Sequence, residues 1–245
     1  MCQEINDIYN TLAETYSHLD WWPTGSYKSL DIDKSKYLVE VDDSYPEEYI
    51  DQFEIIMGTI LTQNTTWVSV DKALANLALY TDFNPNNILE FINTDTDKFK
   101  QLIKPSGYFN QKTIYLKNIA EFFIDLDGRT PTRKEVLAVK GVGNETADSI
   151  LLYAFGEKEF VVDAYTKRIF SYLGFIKETA TYHQVKKLFE ENFQGDVDDY
   201  KQYHALIVEH AKNYYKKKPY GVNDNILNKF KRWFNVFSNY KNEKT

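Results

Sequence analysis

The stretch VKGVGNETADSILLYAFGEKEFVVDAYTKRIF, residues 139–170, decides the fold of this chain. It contains a Gly-Val-Gly corner, Gly141 to Gly143, between two runs whose apolar residues recur at helical spacing. Glycine permits positive φ and leaves room for the close approach of a partner. The stretch therefore predicts a helix, a tight turn and a second helix, which together form a helix-hairpin-helix.

A hairpin of this kind suits a phosphate backbone. Free backbone N–H groups at the start of the second helix point outward at its positive end, where a phosphate can bind. A turn that joins two helices only for packing is the alternative. The full pattern, with Lys140 before the corner and Thr-Ala after it, is more specific than a lone Gly-x-Gly. The residues expected to contact DNA here are Gly141, Val142, Gly143, Asn144 and Thr146.

Asp163 follows the apolar run Phe160-Val161-Val162 and precedes a helical pattern, AYTKRIFSYLGF. Aspartate is a favoured helix N-cap, and for Asp163 taken by itself the cap is the better interpretation. A carboxylate at the start of a helix is both held in place and favoured in its charged form. A cap and a catalytic role are therefore compatible.

Apolar residues recur at helical spacing through most of the chain, without sustained alternation of period two. Breaks fall at Asn84-Pro85, at 104–107, at 128–131, at Gly156 and at Gly195. We predict an all-α protein of about ten helices, with a loop over residues 24–48. The predicted helical segments are EEYIDQFEIIMGTILTQNT, WVSVDKALANLALY, NQKTIYLKNIAEFFIDL, TRKEVLAV, TADSILLYAF, AYTKRIFSYLGF, YHQVKKLFEENF, YKQYHALIVEHAKNYYKK and NDNILNKFKRWFNVF.

The charges of the chain are unevenly distributed. The 245 residues carry a net charge of −7 at pH 7. Residues 1–60 hold three Lys against thirteen Asp or Glu, whereas residues 201–245 hold ten Lys or Arg against three acidic residues. DNA binding needs a local positive surface and not a basic total, so the acidic net charge does not exclude nucleic acid. A solvated surface of mixed charge remains the alternative.

The composition, 43% hydrophobic and 27% charged, is typical of a globular protein. No apolar run approaches the length of a membrane span, and the start MCQEINDIYN lacks the features of a secretory signal. The only cysteine, Cys2, excludes an internal disulfide and a metal site built from several cysteines. We therefore expect a cytoplasmic protein without a membrane partner.

The hairpin, followed at this spacing by Val-Asp and a helix with Arg168, resembles the endonuclease III superfamily of DNA glycosylases. FEIIMGTILTQNT, KPSGYFNQK and HALIVEHAKNYYKKKP resemble other segments of that family, so the resemblance runs from about Trp21 to about Pro219. It implies a two-lobed fold with a central cleft. One lobe would be residues 49–156, with the hairpin, and the other would be residues 1–48 plus 157–245.

The resemblance also implies functional residues. Asp163 would be the catalytic carboxylate, Gln63 would be the wedge that fills the gap left by a flipped base, and the hairpin carbonyls near Val139 to Gly143 would bind a monovalent cation. For Gln63 a hydrogen bond at a helix end is the alternative. The expected partner is damaged double-stranded DNA, bound by a monomer associated with the nucleoid.

Two departures from the family pattern change the expected chemistry. The family places four cysteines after the helix that HALIVEHAKNYYKKKP resembles, where this chain has residues such as Tyr215, Gly221 and Asn223-Asp224. Because Cys2 is the only cysteine, we expect no iron–sulfur cluster and no other metal cofactor. Endonuclease III has a lysine at the second position after Gly-Val-Gly, where this chain has Glu145. A carboxylate cannot form a Schiff base, so we expect base removal without strand cleavage.

A narrower resemblance concerns the base pocket. WWPTGS, LTQNTTW, PSGYFNQK, GVGNETADSILLYA and VVDAY resemble the Helicobacter-type 3-methyladenine DNA glycosylases. This implies a base pocket formed by Trp21, Trp22, Pro23, Trp67 and Glu145. Core packing is the alternative for each Trp, but a helix face would bury one of two consecutive Trp and not both.

Three functions remain open at this point. The first is a monofunctional glycosylase of base excision repair that removes alkylated purines such as 3-methyladenine. The second is a related glycosylase for oxidised pyrimidines or mismatched bases. The third is a non-catalytic helix-hairpin-helix DNA-binding protein, which would need neither Asp163 nor a pocket of Trp side chains.

Overall fold

The computed structural model describes residues 2–30 and 47–232, and every regular element within them is helical. This confirms the predicted all-α class. The α-helices are α1 Gln3–Tyr16, α2 Glu47–Leu61, α3 Trp67–Ala78, α4 Pro85–Thr94, α5 Thr96–Ile103, α6 Phe109–Asp125, α7 Arg133–Ala138, α8 Asn144–Ser149, α9 Ala164–Tyr172, α10 Tyr182–Asn192 and α11 Val197–Tyr214.

The described residues divide into two compact units. The hairpin unit comprises residues 22–30 and 47–159. The aspartate unit comprises residues 2–21 and 160–232. Each unit therefore combines segments that are distant in the sequence.

The boundary near the N-terminus differs from the one expected above, which placed all of residues 1–48 in the second lobe. Residues 22–30 belong to the hairpin unit because Tyr27, 5% exposed, lies in the core of that unit. The Tyr27 and Phe83 rings meet edge to face with centroids 5.3 Å apart. A short 3₁₀ turn, Ser26–Ser29, carries Tyr27. Residues 31–46 of the expected loop lie outside the described residues.

Helix α2 passes through the core of the hairpin unit. Phe53, Ile56, Met57 and Ile60 follow the i, i+3, i+4, i+7 pattern of one helix face, and each is at most 1% exposed. The helix packs against α6, α8 and the π-helical turn Ile150–Ala154 that continues α8. Its C-terminal end lies beside the hairpin, because Gln63, two residues beyond it, bonds Gly141.

A buried lysine closes the C-terminal end of α2. The Lys112 ammonium donates hydrogen bonds of 2.7 Å to the carbonyls of Leu61 and of Ser106. Burial lowers the pKa of Lys112 to about 8. Lys112 thus connects the segment KPSGYFNQK to the last turn of α2, where it satisfies a carbonyl that the helix leaves without a partner.

The aspartate unit is built around aromatic rings. Phe160 and Phe189 stack with centroids 3.9 Å apart and planes 7° apart, and Tyr203 and Tyr200 meet Phe160 edge to face. Phe160, Phe189 and Tyr203 are fully buried. The apolar run that leads into Asp163 is therefore anchored in this core.

Three helices, α1, α4 and α5, are absent from the segments predicted from the sequence. In α1, Ile5, Ile8 and Leu12 are fully buried at helical spacing, which was a usable signal. Asn84-Pro85 marks the start of α4 as well as a break. The Asn84 carboxamide oxygen accepts the Asn86 N–H at 2.9 Å, and Pro85 takes the first helical position.

The helix predicted for NDNILNKFKRWFNVF is wrong over its described part, residues 223–232, where only the short 3₁₀ turn Asn228–Phe230 forms. The segment folds around the buried carboxylate of Asp224 instead. Asp224 accepts hydrogen bonds of 2.8 Å from His210 and Tyr215, and of 3.0 and 2.9 Å from the N–H groups of Ile226 and Leu227. These bonds outweigh burial and lower the pKa of Asp224.

None of the helices within the described residues is long and apolar enough to cross a membrane.

Candidate functional site

The two glycines of the corner differ in what surrounds them. Gly141 has a φ of +107°, and a Cβ there would lie 2.3 Å from the ring of Tyr115. Gly143 has extended backbone, and a Cβ there would meet no atom of the described residues within 4 Å. The protein's own fold requires glycine at 141. At 143 the chain leaves open space, which suits the approach of a partner's backbone.

An ion pair clamps the two helices of the hairpin together. The Arg133 guanidinium on α7 binds the fully buried Asp148 carboxylate on α8, with N···O distances of 2.6 and 3.1 Å. The same guanidinium donates to the Asn144 side-chain oxygen at 2.9 Å. Asn144, an expected DNA contact, therefore also has a role inside the hairpin. Sequence reasoning missed Arg133 and Asp148, although a charged residue within TADSILL was a signal for a buried pair.

Gln63 lies directly against the hairpin. Its side-chain N–H group donates to the Gly141 carbonyl at 3.0 Å and to the Thr146 hydroxyl at 3.1 Å. Thr146 is 8% exposed, so this hydroxyl faces into the protein. In this structure Gln63 makes hydrogen bonds at a helix end, the alternative considered above, and its role as a wedge stays a prediction. Asn64, with φ of +55°, turns the chain after it.

The carbonyls expected to bind a monovalent cation already accept hydrogen bonds. Val139 accepts from the Val142 N–H at 3.1 Å, Lys140 from the Asn118 side chain at 3.1 Å, and Gly141 from Gln63. A carbonyl oxygen has two lone pairs, so these bonds leave capacity for a cation. The cation stays a prediction.

Two of the expected pocket residues, Trp22 and Trp67, meet in the hairpin unit. Their rings are perpendicular, with centroids 5.1 Å apart, and Trp22 also contacts Tyr153 at 5.3 Å. Gly58 lies beneath them, because a Cβ at 58 would stand 2.9 Å from Trp22 Nε1 and 3.2 Å from Trp67 Cη2. Both Trp side chains are partly exposed. Sequence reasoning missed Gly58 and Tyr153.

The other expected pocket residues are placed as follows. Pro23 is partly exposed, and its carbonyl accepts the Ser26 N–H at 3.3 Å. Glu145 is exposed in the first turn of α8. Trp21 is the last residue of the N-terminal segment of the aspartate unit and is partly exposed.

Two acidic side chains hold the loop that carries Trp22. The Glu54 carboxylate on α2, 5% exposed, accepts the Gly25 N–H at 2.6 Å. The Asp71 carboxylate on α3 is 2.5 Å from the Ser26 hydroxyl, which in turn accepts the Trp67 indole N–H at 3.1 Å. Burial raises the pKa of Glu54 to about 7 and also raises the pKa of Asp71. No sequence motif pointed to these two residues.

Asp163 caps α9 in the aspartate unit, as the sequence indicated. Its Oδ1 accepts both the Thr166 N–H and the Thr166 hydroxyl, each at 2.7 Å. Thr166 is fully buried, so it holds the carboxylate from inside the protein, while Asp163 itself is partly exposed. The two bonds fix one oxygen of a partly exposed carboxylate.

A buried histidine of α11 also lies near Asp163. His204 is 6% exposed, and burial lowers its pKa, with the Asp163 carboxylate opposing this shift. A neutral His204 adds no positive charge to the surroundings of Asp163 at neutral pH. Sequence reasoning missed His204, because a single histidine in an amphipathic helix carries no motif.

The glycine pair supports a matched test. Gly141→Ala should destabilise the protein by at least about 2 kcal/mol, because it places a side chain at positive φ against Tyr115. Gly143→Ala should cost about 1 kcal/mol or less, yet weaken binding to a duplex several-fold by filling the open space. Thermal melting and fluorescence anisotropy with labelled duplex DNA measure the two effects. Equal stability losses, or unimpaired DNA binding by Gly143→Ala, would contradict this account.

Glu54 predicts a pH dependence of stability. In the folded protein the pKa of Glu54 is about 7, above the ordinary value of 4.5 for a glutamate. The stability that protonated Glu54 contributes is therefore fully present below pH 4.5 and is lost as the pH rises through about 7. Glu54→Gln keeps the acceptor for Gly25 and cannot ionise. The wild type should lose stability as the pH rises, and the variant should not. The free energy of unfolding of Glu54→Gln, relative to that of the wild type, should therefore rise by roughly 2 kcal/mol between pH 5 and pH 8.

Denaturant titrations across this pH range measure the difference between the two proteins. Glu48→Gln, an exposed carboxylate on the same helix, is the control and should change little. Parallel curves for Glu54→Gln and the wild type would show that Glu54 does not resist ionisation.

Several known proteins and one family model are similar to this chain. Residues 57–194 match the family model of the HhH-GPD superfamily base excision DNA repair proteins. The chain is 41% identical over 228 residues to a candidate DNA repair glycosylase of Methanocaldococcus jannaschii, covering 87% of this chain and 90% of that protein. It is 30% identical to endonuclease III of Sulfolobus acidocaldarius, covering 68% and 75% of the two chains.

A solved structure, H. pylori 3-methyladenine DNA glycosylase bound to 1,N6-ethenoadenine, superposes with a TM-score of 0.57 at 28% identity. The match covers 65% of this chain and 84% of that one. The endonuclease III-like resemblance of the sequence is thereby confirmed. The hairpin, its glycine corner and the capped aspartate are thus the features of a chain that belongs to the HhH-GPD superfamily of base excision DNA repair proteins.

Proposed function

We propose that this protein, a base excision repair DNA glycosylase of the HhH-GPD superfamily, excises alkylated purines such as 3-methyladenine. It would hydrolyse the N-glycosidic bond and leave the sugar–phosphate backbone uncut. The observation that carries this proposal is the Trp22–Trp67 pair over Gly58, in which both residues are partly exposed.

The aromatic pair suits a cationic base. 3-Methyladenine carries positive charge while it is attached to the sugar, and its glycosidic bond is already weak. An aromatic face attracts a cation by roughly 1–2 kcal/mol where water is excluded. Selective stacking is then more useful than strong acid catalysis. The similarity to H. pylori 3-methyladenine DNA glycosylase supports the same substrate class.

Asp163 would supply the charge that the reaction needs. Departure of the base leaves positive charge at C1′, as in glycoside hydrolysis, and a fixed carboxylate stabilises it and orients or activates water. Both Thr166 hydrogen bonds reach Oδ1, so they orient the carboxylate while Oδ2 takes no part in them. The base leaves the duplex first, at a cost of a few kcal/mol.

Glu145 supports a glycosylase without lyase activity. A Schiff base requires an amine, and this first-turn residue of α8 is a carboxylate. Lys140 lies on the other side of the glycine corner, where its carbonyl bonds Asn118. We assign it no role in the chemistry. The hairpin would bind the DNA backbone through the N–H groups near Gly143.

The segment that follows α11 supports a fold without an iron–sulfur cluster. The chain contains a single cysteine, Cys2, and four thiolates are needed for a cluster of this kind. At the place expected for the cluster loop, His210, Tyr215 and Asp224 form a buried hydrogen-bonded group. These residues do not fit an iron–sulfur cluster, and we propose that their hydrogen bonds organise the segment instead. We further propose a monomer that acts on damaged double-stranded DNA in the cytoplasm.

A glycosylase for oxidised pyrimidines or mismatched bases is the second candidate. The similarity to endonuclease III over two thirds of the chain favours it. Glu145 and the Trp22–Trp67 pair favour the alkylated-purine enzyme instead. A non-catalytic DNA-binding protein would not require Asp163 beyond its role as a helix cap, and it would not need a pocket of Trp side chains.

The test is Asp163→Asn. Asparagine caps a helix about as well as aspartate, so folding should be retained while the negative charge is lost. Single-turnover release of 3-methyladenine should fall at least about a hundredfold, with DNA binding unimpaired. The wild type should yield strand breaks only after alkali. If Asp163→Asn releases the base near the wild-type rate, Asp163 is only a helix cap. If the wild type yields strand breaks without alkali, an amine of the protein acts as a lyase.

A further inference from the structure

The indole of Trp67 is connected to a carboxylate. Its N–H donates to the Ser26 hydroxyl at 3.1 Å, and that hydroxyl is 2.5 Å from Asp71 Oδ1. Trp67 and Asp71 stand four residues apart on α3, so both side chains lie on one helix face. The chain from indole to hydroxyl to carboxylate directs negative charge at the N–H edge of the ring.

The surroundings of this carboxylate are acidic. The Glu54 carboxylate lies near enough to Asp71 for the charge of Asp71 to raise the pKa of Glu54. Asp51 also raises the pKa of Glu54, and Lys28 opposes this shift. Glu54 and Asp71 both bond the Gly25–Ser26 loop, so two carboxylates stand where this loop is attached. A hydrogen bond that leads to a carboxylate also polarises the group that donates it.

The consequence differs between charged and neutral bases. A cation stacked on Trp67 is attracted by the ring face and by the negative charge at the N–H edge of the ring. A neutral base of the same shape gains the stacking but not the charge interaction. Negative charge at Asp71 therefore favours a cationic ligand without touching it.

We propose that Asp71 is a specificity-determining residue, which acts through Ser26 and Trp67 to make the pocket prefer a cationic alkylated purine to a neutral base of equal shape. This inference rests on the proposed function. A purely structural role, in which Asp71 only holds the Ser26 loop in place, is the competing explanation. The two differ because a structural role affects cationic and neutral ligands alike.

The test is Asp71→Asn, in which the amide oxygen can still accept the Ser26 hydroxyl while the charge is lost. Two quantities are measured on duplexes of one sequence. The first is the single-turnover rate of 3-methyladenine release. The second is the Kd for a duplex with 3-deaza-3-methyladenine, a neutral isostere whose glycosidic bond is stable. We expect the rate to fall about tenfold and the Kd to stay within about twofold of the wild type.

Glu90→Gln is the matched control, because it removes one exposed carboxylate from the same unit and so changes the net charge equally. For Glu90→Gln, both the rate of 3-methyladenine release and the Kd for the neutral isostere should stay at wild-type values. Thermal melting identifies any loss of folded Asp71→Asn protein, and rates are expressed per folded molecule.

Each other outcome overturns the inference. Equal losses of rate and of affinity for the neutral isostere would make Asp71 a structural residue. An unchanged rate would show that its charge does not reach the bound base. If the wild type releases no 3-methyladenine at all, the proposed function fails, and the inference fails with it. The wild-type rate thus separates failure of the function from failure of Asp71 alone.

Discussion

Gly141 turns the chain at positive φ directly under the ring of Tyr115, where no other side chain fits. This close contact lets α7 and α8 meet as a hairpin, and other elements are attached to it. Gln63, just beyond α2, bonds the Gly141 carbonyl and Thr146, and Arg133 binds Asp148 across the hairpin. Since α2 also carries Gly58 and Glu54, the corner sets the position of the helix that supports both tryptophans.

The features that sequence reasoning predicted are those with local patterns. The Gly-Val-Gly corner, the N-cap at Asp163 and most helices follow from residue spacing, cap chemistry and glycine's φ range. The pairing of Trp22 with Trp67 followed only from the family resemblance. Asp71, Glu54 and Thr166 were missed because their roles come from contacts across the fold, and a single acid or threonine in a helix carries no signal.

The wrong helix after residue 223 has a physical reason of the same kind. Its apolar spacing is helical, but the Asp224 carboxylate is buried and bonds His210 and Tyr215. With the N–H groups of Ile226 and Leu227 it accepts four hydrogen bonds, which outweigh helix propensity. Buried acids thus recur in this chain with different roles. Asp148 and Asp224 hold structure, whereas buried Glu54, together with the partly exposed Asp71, holds the loop that carries Trp22. We propose that one of them, Asp71, also places negative charge near a cationic ligand.

We propose that the Trp22–Trp67 pair receives an alkylated purine, which is removed without strand cleavage. The most direct measurement is chromatographic identification of the bases that the purified protein releases from methylated duplex DNA, with oxidised and mismatched duplexes treated in parallel. We expect free 3-methyladenine from the methylated duplex and an uncut backbone. Release of oxidised pyrimidines or mismatched bases without any 3-methyladenine would contradict this proposal.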